Sequence, residues 1–150
     1  MRELVVDDVA ARLETYLIAA GALPEKPNAA QRALLLLAVP HVQERMETLR
    51  QGINMVAFLF ASDAGVNAEV TAGTPAFERD AADVAAVITE DARPALVAAR
   101  DALEALSDWS HDGIEAALRG ALIEGLGLKP KLAFGPIRVA ISGRRVSPPL

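Results

Sequence analysis

Apolar residues recur at steps of three and four along almost the whole chain, and nowhere does a strand-like alternation persist, which confines the sequence to helical architectures. Val6, Val9, Ala10, Leu13, Tyr16, Leu17 and Ala20 fall on one face, with Arg12, Glu14 and Thr15 opposite, so the first element is an amphipathic helix. Gly21 is placed to stop it. A turn follows with Asn28 as N-cap, and residues 29–38 are leucine-rich and apolar nearly all round, as expected of a central element. Pro40 ends or kinks that segment. Val42, Met46, Leu49 and Ile53 then extend a helical stripe as far as Gly52 and the apolar run after it, and Phe58, Leu59 and Phe60 close a first cluster.

Between residues 63 and 75 the composition turns to Asp, Gly, Asn, Thr and Pro, which reads as a connection and places a boundary between subdomains at 1–63 and 64–150. Beyond it the spacing predicts a short helix over 80–89 and a long one over 89–106. A third is capped by Ser110 and ended by Gly125 and Gly127. A last helix over 129–142 survives Pro136, with Gly143 as its left-handed C-cap. The expectation is an all-α chain, a bundle or cage of about seven or eight helices in two subdomains.

Charge is distributed unevenly. The last 25 residues hold five of the fifteen bases, Lys129, Lys131, Arg138, Arg144 and Arg145, and no acid, although the chain carries a net charge of −5. Concentrating positive charge on an acidic protein suits local attachment to a polyanion. The ending Ser147-Pro148-Pro149 reads as a helix start with only Leu150 after it, so the natural chain is expected to continue. Absence of cysteine removes disulfides and thiolate chemistry and favours a cytoplasmic address. The longest apolar runs, 33–40 and 53–61, fall well short of the roughly 20 residues of a membrane helix.

No catalytic constellation emerges. Ser110-His111-Asp112 spells the letters of a hydrolase triad, but consecutive residues at a helix start point in different directions, and Ser110 serves as an N-cap with acid in the first turn. His41 and His111 lie seventy positions apart without ligand company, so no metal site is expected. Six arginines have an acid at three or four residues: Arg12 with Asp8, Arg50 with Glu47, Arg79 with Asp83, Arg93 with Glu90, Arg100 with Glu104 and Arg119 with Glu115. Arg45, Arg138, Arg144 and Arg145 have none at that spacing. Guanidinium groups near apolar surface without a local acid suit phosphate or a base edge, or else an acid remote in sequence.

The octet Val42-Gln43-Glu44-Arg45-Met46-Glu47-Thr48-Leu49, the single Trp109 ahead of Ala116-Ala117-Leu118-Arg119, and the stretch from Phe134-Gly135-Pro136-Ile137-Arg138 to Ser147-Pro148-Pro149-Leu150 resemble the C-terminal anticodon-binding region of bacterial-type glutamyl-tRNA synthetases. The resemblance covers essentially the whole chain, weakly between residues 62 and 83. It implies a helical cage that grips the anticodon loop of tRNA(Glu), and tRNA(Gln) as well in non-discriminating members. By position, Arg45 resembles the arginine that meets the third anticodon base. Arg138 with Ser147, Pro148, Pro149 and Leu150 matches the stretch around the first two bases, with Arg144, Arg145 and Lys131 as supporting phosphate contacts. Pro149 departs from a glycine found in some relatives and removes a backbone donor there.

The family's ATP-using, magnesium-dependent catalytic domain, with its His-Ile-Gly-His-like and Lys-Met-Ser-Lys-Ser-like motifs, has no counterpart in this sequence. The implied role is therefore recognition for a class I ligase, monomeric as a whole enzyme, with no catalytic residue, metal or cofactor in these 150 residues. Two other readings stand beside it: a helical protein-interaction or oligomerisation module without RNA binding, and a small helical enzyme.

Overall fold

A computed structural model describes residues 4–62, 68–76 and 78–147. Contacts divide the chain into two units, Met1–Glu78 joined by Val146–Pro149, and Arg79–Arg145. Among the described residues there are seven α-helices and no strand, as the apolar periodicity predicts.

In the first unit the stripe from Val6 becomes α1, Val6–Ala19, with Val9, Leu13 and Leu17 withdrawn fully from water. Gly21 turns the chain at a φ of 76°, a conformation that costs glycine nothing. Asn28 caps α2, Ala29–Val42, through a reciprocal box: its side chain accepts the Gln31 amide while the Gln31 side chain accepts the Asn28 amide. Pro40 stays inside this helix. The leucine run is less central than expected, for Leu35 is buried but Leu36 is 40% and Leu37 70% exposed. A run of four leucines covers more of a helix circumference than its two neighbours cover here.

The continuous stripe expected from Val42 to Ile53 is interrupted. Residues 43–45 form a turn, and α3 begins afresh at Leu49–Val56. The cause is local: the Thr48 hydroxyl accepts the Gln51 amide and the Gln51 side chain accepts the Glu47 amide, which starts a new helix at the expense of the old one. A tight turn at Ala57–Phe60 then drives Phe60 into the core beside Leu13, Val39 and Val56.

The connection expected to separate the subdomains belongs instead to the first unit. Gln31, fully buried, donates its amide to the carbonyls of Val70 and Ala72 at 2.9 Å each, and Asn28 donates to Glu69. The Ser62 amide donates to Pro75. Accordingly the division falls between Glu78 and Arg79, about fifteen residues beyond the compositional break.

The second unit contains α4 (Ala81–Val87, capped by Asp80), α5 (Arg93–Glu104), α6 (His111–Arg119, capped by Ser110) and α7 (Pro130–Ser142). After α6 the chain widens into a π turn over Gly120–Gly125, and Gly127 at φ 66° releases it toward α7. Helix α7 passes through Pro136 and ends at Gly143, φ 76°. The core here is alanine-rich: Ala95, Ala99 and Ala133 pack with Leu118, Leu122 and Ile137. Small side chains bring helices close together but fill little volume, which leaves room for a cavity beside α7.

Candidate functional site

The turn that interrupts the first unit also decides where Arg45 points. Met46, one residue on, is buried, so Arg45 falls on the exposed side of the turn. There its Nη1 donates to the Ser147 carbonyl at 3.4 Å, 102 residues away in sequence. Two residues that sequence reasoning nominated separately are thus brought together within the first unit. Ser147 is itself 2% exposed, whereas Val146 before it is 61% exposed. Pro148, Pro149 and Leu150 lie outside the described residues.

Within the second unit, the C-terminus of α7 is tied down by Asp80 and Asp83, the second of which sequence reasoning had assigned to Arg79. The Asp80 amide donates to the Gly143 carbonyl at 2.8 Å, and Arg144 Nη1 lies 3.7 Å from an Asp80 carboxylate oxygen. Asp83, expected to serve Arg79, accepts both the backbone amide of Arg145 at 2.9 Å and its Nε at 2.7 Å. Arg144 and Arg145 therefore do have carboxylate partners, 62 to 64 positions back in the chain. No helical spacing rule could have found them, although the pairing of two acids at Asp80 and Asp83 with two arginines at 144 and 145 was visible as complementary charge.

The Arg145 backbone hydrogen bond, followed by that from its guanidinium, holds the Asp83 carboxyl below the usual carboxylate range. A depressed carboxylate pKa stabilises the folded state above the unfolded value, and the contribution is lost as pH falls through the lower folded value. The Arg145 amide resonance should accordingly titrate with a midpoint below the ordinary aspartate value of about 3.9, and should lose that titration in Asp83→Asn. A midpoint at or above the ordinary value would show that the clamp does not form.

Arg138 projects from α7, half-buried, with its Nε out of contact with solvent. The Ser142 hydroxyl reaches back along the same helix and can donate to the Arg138 carbonyl at 2.7 Å or to the Arg144 carbonyl at 2.9 Å. Lys131 and Arg145 line the same cavity as Arg138. What the second unit collects is therefore cationic: three basic groups around one hollow. Among the described residues no group of three or more His, Cys, Asp or Glu could hold a metal ion, and no helix is long and apolar enough to cross a membrane.

The chain belongs to the anticodon-binding domain family, whose model matches residues 8–150. Along its whole length it is similar to proteins named glutamate–tRNA ligase: 48% identical to that of Kineococcus radiotolerans, 47% to that of Leifsonia xyli subsp. xyli and 43% to that of Saccharopolyspora erythraea. All of this chain is covered in each comparison, but it spans only 27–28% of the length of these curated relatives.

Proposed function

We propose that the chain is the anticodon-loop recognition module of a glutamate–tRNA ligase, binding tRNA(Glu) and supplying specificity to an ATP- and magnesium-dependent aminoacylation carried out elsewhere in a monomeric, cytoplasmic enzyme. The observation that carries this reading is the meeting of Arg45 with the Ser147 carbonyl. An arginine held by one backbone acceptor keeps the rest of its fork for a base edge, and the same contact ties it to the segment that the family resemblance connects with the neighbouring bases. Arg138, Lys131 and Arg145 supply attraction to the sugar-phosphate chain, which positions RNA without reading it.

Replacement of Arg45 by alanine is expected to weaken binding of a stem-loop with cytosine at the third anticodon position by about tenfold, within the roughly 1–3 kcal/mol of a base-specific arginine contact. A stem-loop with guanine at that position should lose less. Equal losses for both would remove Arg45 as a discriminator while leaving it a general contact, and Arg45→Lys should behave like alanine because a point charge does not reproduce the fork. Gel-shift titrations at two salt concentrations beside light scattering separate this reading from an oligomerisation module, which predicts a concentration-dependent size and no salt-sensitive RNA affinity.

A further inference from the structure

Arg45 takes its direction from a carbonyl that has little freedom of its own. Ser147 follows Arg145 by two residues, and the chain passes back from the second unit into the first between Arg145 and Val146. Two residues of extended chain span at most about 7 Å, so whatever fixes Arg145 also limits where the Ser147 carbonyl can go.

Asp83 is what fixes Arg145. One carboxylate oxygen accepts the Arg145 amide at 2.9 Å and the other accepts its Nε at 2.7 Å, so the backbone of residue 145 is located and not only its charge. The residues before it are pinned as well: the Ser142 hydroxyl accepts the Arg144 amide at 3.3 Å, and the Gly143 carbonyl accepts the Asp80 amide at 2.8 Å. That last bond explains why Asp83 is available. At the start of α4 the Asp80 side chain accepts the Asp83 amide, and in a capping box the Asp83 carboxylate would accept the Asp80 amide in return. Here that amide is given to Gly143, which leaves the carboxylate for Arg145. Val146, 61% exposed, is then the one residue between the clamp and Ser147. The bond from Arg45 Nη1 to the Ser147 carbonyl, at 3.4 Å, stands at the long limit of a hydrogen bond, and a further shift of a few tenths of an ångström breaks it.

We propose that Asp83 is a positioning residue for base recognition: through Arg145 it sets the Ser147 carbonyl, and through that carbonyl the direction of the Arg45 fork. The proposal rests on the reading of Arg45 given above. A guanidinium that loses its acceptor keeps its charge, and with it the attraction to phosphate, but not the fixed orientation that a base edge requires. The Asp83 carboxylate also offsets the charge of Arg145, so removing it strengthens attraction to any RNA whatever its bases. Only the orienting effect alters the preference between two loops.

The test measures the affinity of the 150-residue chain for two stem-loops that differ only in cytosine or guanine at the third anticodon position. Asp83→Ala should lower the cytosine-over-guanine ratio about threefold, the scale of coupling through a backbone shift, whereas Asp83→Asn, which keeps an acceptor for the Arg145 amide, should retain most of it. In an Arg45→Ala background, Asp83→Ala should leave the ratio where Arg45→Ala alone puts it. A ratio unchanged by Asp83→Ala in a folded chain, or lowered equally with and without Arg45, overturns the proposal and leaves Arg45 as a discriminator. No preference between the loops in the unsubstituted chain overturns the reading of Arg45 and this inference with it. Because Asp83→Ala removes two bonds and can cost the fold, a second variant spares them: one glycine inserted between Val146 and Ser147 adds about 3.3 Å of slack with the clamp intact. The ratio should fall in that chain too, and an unchanged ratio there equally overturns the proposal.

Discussion

Gln31→Ala is expected to destabilise the first unit by about 3 kcal/mol, three hydrogen bonds at roughly 1 kcal/mol each, before any cavity is counted. One fully buried side chain makes all three: it accepts the Asn28 amide, completing the start of α2, and donates to the Val70 and Ala72 carbonyls. Alanine leaves a donor and two acceptors without partners, so the reciprocal half of the capping box and two of the bonds that hold residues 68–76 are lost together. Gln31→Glu should be worse at neutral pH, because a carboxylate faces two carbonyl oxygens where an amide donated to them. Burial beside those oxygens raises the substituted carboxyl's folded pKa, so its penalty should lessen as pH falls through that value. Trp109 is the chain's only tryptophan and lies in the second unit, so its fluorescence follows that unit while far-UV circular dichroism follows both. The Gln31 variants should lower the midpoint of the first signal less than the second. A shift below about 0.5 kcal/mol for Gln31→Ala would mean that residues 68–76 are not held through this side chain.

The same residue marks where sequence reading stopped. Asn28 was legible as an N-cap, Ser110 likewise, and Gly21 and Gly143 as helix ends, because each acts on backbone groups within a few residues of itself. The all-α class was legible for the same reason. Polar composition was legible as a connection over residues 68–75, the described part of that stretch, but not its allegiance, since that depends on Gln31 some forty positions earlier. The break before α3 was missed because the apolar spacing of Val42, Met46, Leu49 and Ile53 runs unbroken through it, whereas two short side-chain bonds from Thr48 and Gln51 restart the helix. For the site, Arg45 and Arg138 could be nominated from residue type and local company, and Lys131 from the family resemblance. Their surroundings could not: the Ser147 carbonyl lies 102 residues from Arg45, and Asp83 lies 62 from Arg145.

Raising monovalent salt from about 50 to about 200 mM is expected to weaken stem-loop binding by about 50-fold if four cations each neutralise one phosphate, at a slope near −0.7 per contact for single-stranded nucleic acid. Arg45, Lys131, Arg138 and Arg145 are the four cations that the proposed function assigns to RNA. The estimate is sensitive to Asp83, whose carboxylate already neutralises Arg145. If that pair persists in the complex, three contacts remain and the same change in salt weakens binding by about 20-fold. Asp83→Asn distinguishes the cases, because it removes the competing charge while keeping an acceptor for the Arg145 amide. In the first case its salt slope matches the unsubstituted chain; in the second it steepens by about 0.7 and affinity at low salt rises. A slope shallower than about −1 in every chain would reject phosphate attraction as a principal contribution. Residues 126–150 contain no acid of their own, so how steep the slope becomes turns on whether Asp80 and Asp83 keep hold of Arg144 and Arg145 when RNA binds.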